Sequence, residues 1–159
     1  MATYPVTYTA RIAAPAKRIY DILTDYHAGH PSILPPQFQN MVVVKGGRGA
    51  GTQTTFEVKA FGRTQKIRHE VFEPEPGRVL MERDLDSTTT TRFILDPVDG
   101  GTNVTIHTDM EEKPGIAGAI ERWLSKRFLL GLYRVELGKL ENVALTPTGS
   151  DLRRTAPSA

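Results

Sequence analysis

Between Phe38 and Met110 the chain carries six short strand-like segments, "FQNMVVVKG", "GTQTTFEVKAF", "TQKIRHEVF", "RVLMERDL", "TTTTRFIL" and "TNVTIHTDM". Parallel neighbours would need crossover connections of roughly a dozen residues or more. The joints here are far shorter and hold the Gly, Pro, Asn and Asp chemistry of tight turns: Gly46-Gly47 through Gly51, Phe61-Gly62-Arg63, Pro74-Glu75-Pro76-Gly77, Asp86-Ser87 and Asp99-Gly100-Gly101. The segments must therefore run as an antiparallel meander. A seventh strand precedes them, because Val6, Tyr8, Ala10 and Ile12 alternate with Thr7, Thr9 and Arg11 until Pro15 stops the run.

Two helical patterns complete the chain. Ile19, Ile22, Leu23 and Tyr26 predict a helix over 16–26, and the segment from His27 can add at most one turn before Pro35-Pro36 forbids continuation. At the other end Ile116, Ala119, Trp123, Leu130, Tyr133, Leu137, Leu140 and Ala144 recur in steps of three and four, broken only by Lys126. That predicts a helix over 114–144, roughly 45 Å long. The predicted fold is α+β: a seven-stranded curved antiparallel sheet wrapped around a long C-terminal helix, with one or two short helices after the first strand. We expect a single domain over 1–144 and a flexible tail over 145–159, where "LTPTGSDLRRTAPSA" has little to bury.

Composition narrows the partners. At 159 residues, with 39% hydrophobic and 24% charged content, one sizeable core is affordable. No apolar run approaches the roughly 20 residues that span a bilayer, so no integral membrane segment is expected. The start "MATYPVTYTA" lacks a secretion signal, which predicts a cytoplasmic protein. The absence of cysteine removes disulfides and thiolate chemistry, and a net charge of +2 gives no clustered basic surface for nucleic acid. An apolar small molecule is the expected partner.

A wide concave face contacts a single helix along only part of its surface, leaving space to be filled or left open. By strand parity the inward residues include Thr54, Phe56, Val58, Gln65, Ile67, His69, Val71, Thr91, Phe93, Leu95, Val104, Ile106, Thr108 and Met110. Threonines and a histidine among apolar positions suit a pocket wall, although threonine is also simply a good strand former.

Three features resemble a known superfamily. "ARIAAPAKRIYDILTDY" resembles the opening of START/Bet v 1-like (SRPBCC) proteins, in particular the polyketide cyclase/dehydrase-like group. "VFEPEPGRVLMER" and "FILDPVDGGTNVTIHTDM" are similar to its middle hairpins, and "GIAGAIERWLSKRFLLGLYRVELGKLENVA" to its closing helix. The resemblance spans about residues 4 to 144. It implies a helix-grip fold and the holding of lipids, sterols, quinones, plant hormones or polyketide intermediates between sheet and helix, with chemistry in only some members.

Two functions are carried forward: binding of an apolar lipid-, polyketide- or isoprenoid-like molecule in that cavity, or cofactor-free cyclase, aromatase or dehydratase chemistry by proton transfer. No cofactor and no metal is expected. His27 and His30 are three residues apart but lack the third and fourth ligands a metal needs. They read as surface or mouth residues, with Pro31 pushing His30 out of helix, or as part of a lid from which His30 and Tyr26 reach a ligand's polar end. His69 is the candidate proton carrier, or else a core histidine. In "VLMERD" one charge must face inward; Val79 and Met81 favour Arg83, whereas Leu80 favours Glu82, and Arg83 is the choice made on sequence. The catalytic candidates are His69, Arg83 and Tyr26. The expected ligand-binding set is Tyr26, His30, Phe56, Val58, Ile67, His69, Met81, Arg83, Phe93, Ile106, Trp123 and Arg127; Lys126 and Arg127 could offer a cation or extend to solvent.

Overall fold

In the computed structural model, which describes residues 2–148, the chain runs β1 (Thr3–Ile12), α1 (Ala16–Thr24), α2 (Gly29–Ile33), β2 (Phe38–Lys45), β3 (Gln53–Ala60), β4 (Arg63–Glu75), β5 (Val79–Asp84), β6 (Thr90–Val98), β7 (Gly101–Glu111) and α3 (Gly115–Leu145). The strands form one antiparallel sheet in the order β1-β7-β6-β5-β4-β3-β2, so the meander is intact and β1 adds to its far edge beside β7. This is the expected helix-grip arrangement. The expected tail lies outside the described residues from Gly149 onward, and α3 itself continues to Leu145.

Both longer helices start directly after a proline, Pro15 and Pro114, whose fixed φ sets an extended entry into the first turn. α2 ends at Leu34, which is extended because Pro35 follows. Pro31 lies inside α2, in its first turn, where a missing N–H costs no intrahelical bond. His30 therefore stays helical, and the expectation that Pro31 would expel it is corrected. α2 begins hard against α1: a Cβ on Gly29 would sit 2.4 Å from the Ile22 carbonyl oxygen, so only glycine fits there.

The C-terminal half of α3 is the well-buried half. Leu132, Tyr133, Leu137, Leu140 and Ala144 pack with Ile19, Leu23, Ile33, Leu80 and Val104 in one core. Arg18 of α1 donates to the carbonyls of Ala144 and Thr146, closing the end of α3, and Lys139 donates to the Leu34 carbonyl at 2.9 Å. The N-terminal half instead spans the open side of the sheet, with Ile116, Ile120 and Trp123 exposed. A strict seven-residue repeat drifts by about 20° per heptad on a straight helix, so over four heptads the stripe read from sequence rotates by about 80°. Its later members face the core, whereas Trp123 lies 59% exposed in a shallow outer groove with Tyr4, Arg122 and Lys126. No described helix is long and apolar enough to cross a membrane.

Candidate functional site

Between the sheet and α3 lies a cavity of about 740 Å³. Its sheet wall is built from the inward residues of β3, β4, β6 and β7, among them Phe56, Val58, Ile67, His69, Phe93, Ile106 and Met110. Its helix wall comes from Leu124, Phe128, Leu129, Leu132 and Glu136. The wall is mostly apolar, as ligand cavities generally are. Buried titratable groups, among them His30, Glu82 and Glu136, gather at one end, whereas the lining cations Arg63, Lys66, Lys113 and Arg122 are exposed.

That end is organised by β5. Register pairs Leu80 with Phe93 and Glu82 with Thr91 and Val71, and directly opposed residues share a face of the sheet. Glu82 is therefore inward, as is Asp84 two residues on, opposite His69, and the choice of Arg83 is overturned. Arg83 lies on the outer face, where it donates to Glu70 at 2.9 Å and covers the Phe72 ring at 4.8 Å. Met81 shares its parity, opposes Phe72 and Arg92, and does not line the cavity.

Three side chains converge on the Glu82 carboxylate. Tyr26, just beyond α1, donates its hydroxyl to Oε1 at 2.7 Å. His30 is 2% exposed and stacks on the Tyr26 ring at 4.6 Å; its Nε2 lies 3.4 Å from the same oxygen. Its Nδ1 faces the Leu23 carbonyl at 2.8 Å and must carry a proton, since a carbonyl only accepts. His69 on β4 places Nδ1 3.6 Å from Oε2, while its ring meets the edge of Phe56 at 4.9 Å. Burial alone would raise the Glu82 carboxyl, but the His30 and His69 imidazoles and the Tyr26 hydroxyl outweigh it and lower it to about 2. The second nitrogen of His69 has no hydrogen-bond partner among the described residues.

A second carboxyl enters from the helix. Glu136 is 4% exposed, lines the cavity and has no hydrogen-bond partner among the described residues. Burial, reinforced by the charge on Glu82, pushes it up to about 8. One turn earlier, the Tyr133 hydroxyl lies 2.5 Å from Thr108 Oγ1, which is 2.9 Å from Thr91 Oγ1. The inward threonines of β6 and β7 thus satisfy one another and the tyrosine, and burial raises the Tyr133 phenol.

The sequence-chosen residues separate cleanly. His30, Phe56, Val58, Ile67, His69, Phe93 and Ile106 line the cavity. Tyr26 is buried behind it and reaches it only through Glu82. Met81, Arg83, Trp123 and Arg127 are outside it; Arg127 lies over the Trp123 ring at 5.1 Å, on the outer face of α3. His27 and His30 do not converge: His27 is exposed and lies over Gly47, where a Cβ would come within 1.9 Å of its Nε2. Glu82 was weighed on sequence and passed over for Arg83, and Glu136 and Tyr133 were missed as lining residues. For Glu136 a signal existed, because it stands four residues from both Leu132 and Leu140, inside the apolar face.

Residues 4–144 match the family model described as polyketide cyclase / dehydrase and lipid transport. The chain belongs to this family. Among solved structures it is similar to the KanY protein, with a TM-score of 0.82 at 22% identity over 92% of this chain and 100% of that one. A START superfamily protein from Mycobacterium smegmatis gives 0.70 at 20% identity over 87% of this chain and 98% of that one. The di-domain ARO/CYC BexL of the BE-7585A biosynthetic pathway gives 0.70 at 19% identity, over 92% of this chain and 51% of that one. At such identities the likeness is one of fold. No curated protein matches the chain in sequence. Membership of the polyketide cyclase/dehydrase and lipid transport family supports either apolar ligand binding or a cyclase role.

Proposed function

We propose that this member of the family binds an apolar small molecule of lipid, polyketide or isoprenoid type in the cavity between sheet and α3. The observation that carries the reading is the cavity of about 740 Å³, apolar along most of its wall, with buried polar groups gathered at its inner end. Native mass spectrometry of the purified protein tests it. A retained apolar small molecule, displaced when Ile106→Trp fills the cavity, is the expected result; wild-type protein that never takes up an apolar ligand would refute it.

A second reading is favoured by the pairing of His69 with Glu82 opposite Glu136. A carboxylate that holds Nδ1–H of an imidazole leaves Nε2 as a base, the arrangement used to orient catalytic histidines. In a cofactor-free cyclisation or dehydration, Nε2 would take a proton from a carbon next to a carbonyl. The electron pair would move to the carbonyl oxygen, and the protonated Glu136 carboxyl would supply that oxygen with its hydrogen. His69→Phe separates the readings. Turnover of a poly-β-ketone substrate should fall by roughly 10²–10⁴-fold if His69 is the base, while a pure carrier should change only modestly in affinity.

A further inference from the structure

We propose that the cavity selects ligands whose buried end is an uncharged carbonyl or phenol oxygen, seated between the Glu136 carboxyl and the His69 imidazole, and rejects carboxylates of the same apolar shape. The inference rests on the binding reading above and assigns it a headgroup class and an orientation.

The polar groups at the inner end divide into those already engaged and those that are not. Glu82 Oε1 is taken by Tyr26 and approached by His30, and Oε2 is approached by His69. Tyr133, Thr108 and Thr91 close a chain of hydroxyls among themselves. Glu136 and the far nitrogen of His69 remain without partners among the described residues, yet Glu136 is 4% exposed. Both groups open onto the cavity, so a ligand that hydrogen-bonds to them there binds more tightly than one of the same size that does not. A neutral carbonyl accepts from the Glu136 carboxylic acid; a phenol can in addition donate to His69.

A ligand carboxylate has no counterpart there. It would be a third carboxyl beside Glu82 and Glu136, and the cations that line the cavity, Arg63, Lys66, Lys113 and Arg122, are all exposed. Lys113 and Arg122 are moreover already paired with Glu121 and Glu112. A carboxylate can thus be satisfied only by reversing, with its charge on the exposed cations and its apolar end against the unpartnered Glu136 and His69. Below those exposed cations the wall suits hydrocarbon: Ile120, Leu124 and Phe128 line it, and Phe61 packs on Phe128 at 5.4 Å.

The test uses three naphthalenes of similar size, 2-acetylnaphthalene, 2-naphthoate and 2-ethylnaphthalene, titrated by fluorescence against the full chain at about pH 6.5, where a free carboxylic acid is ionised. The ketone should bind roughly tenfold tighter than either other probe, about the worth of one well-made hydrogen bond. Glu136→Gln retains a neutral donor and should keep the ketone within about threefold, whereas Glu136→Leu should reduce the ketone to the level of the ethyl compound. Binding of the carboxylate as tightly as the ketone, or a Leu variant that keeps the ketone's advantage, overturns the headgroup assignment and leaves the cavity reading standing. If all three probes, the ethyl compound included, fail to bind, the cavity reading falls and the headgroup assignment with it. Should the Leu variant not fold, the ranking of the probes on the wild-type and Gln proteins still decides.

Discussion

Glu82→Leu should destabilise the fold by roughly 3–5 kcal/mol, because it strands three polar side chains that the wild-type carboxylate holds together. Tyr26 would lose its acceptor, and His30 and His69 the carboxylate that their ring nitrogens face, with Tyr26 and His30 almost fully buried. Glu82→Gln keeps an acceptor for Tyr26 and should cost less, about 1–3 kcal/mol. Urea unfolding at neutral pH measures both. The sign of the pH dependence follows from the lowered Glu82 carboxyl: its contribution is complete above the ordinary value of 4.5 and is lost as pH falls towards about 2. Wild-type protein should therefore lose stability in acid more steeply than Glu82→Gln. A leucine variant as stable as wild type would show that the cluster is held by packing alone.

Glu136 should produce the opposite slope. Its carboxyl is raised from 4.5 to about 8, so between those values the folded chain holds a proton that the unfolded chain has released. Stability must then fall as pH rises through that window, by up to about 5 kcal/mol if the whole shift is expressed. Glu136→Gln should flatten the profile between about pH 5 and pH 9, and Glu136→Leu should be more stable than wild type at the alkaline end. Denaturation at three pH values checks this. A wild-type profile that the Gln substitution leaves unchanged would mean that Glu136 is ionised and solvated in the folded protein.

The two carboxyls also mark where sequence reasoning was sound and where it was not. Strand number, order and inward parity were legible because alternation and turn chemistry agree along β3, β4, β6 and β7. "VLMERD" was not, because Val79, Leu80 and Met81 are apolar on both parities and only the pairing of Leu80 with Phe93 decides between Glu82 and Arg83. The length of α3 was legible, but the side it turns to the cavity was not, since the heptad stripe drifts around a straight helix and carries Trp123 outward. His30 was misplaced for a local reason: proline restricts the residue before it less decisively when it falls in the first helical turn. Its burial depends on Glu82, fifty-two residues away, and no local pattern encodes that contact. The apolar members of the sheet wall, by contrast, followed from alternation alone.

Binding inside the grip is tested most directly by a methyl NMR titration of the full chain with 2-acetylnaphthalene. Saturable shifts are expected at Val58, Ile67, Ile106, Leu129 and Leu132, which line the cavity, with Val42, Val44 and Val98 on the exposed surface unmoved. Shifts confined to Ile116 and other exposed methyls of α3, or none at all, would contradict it.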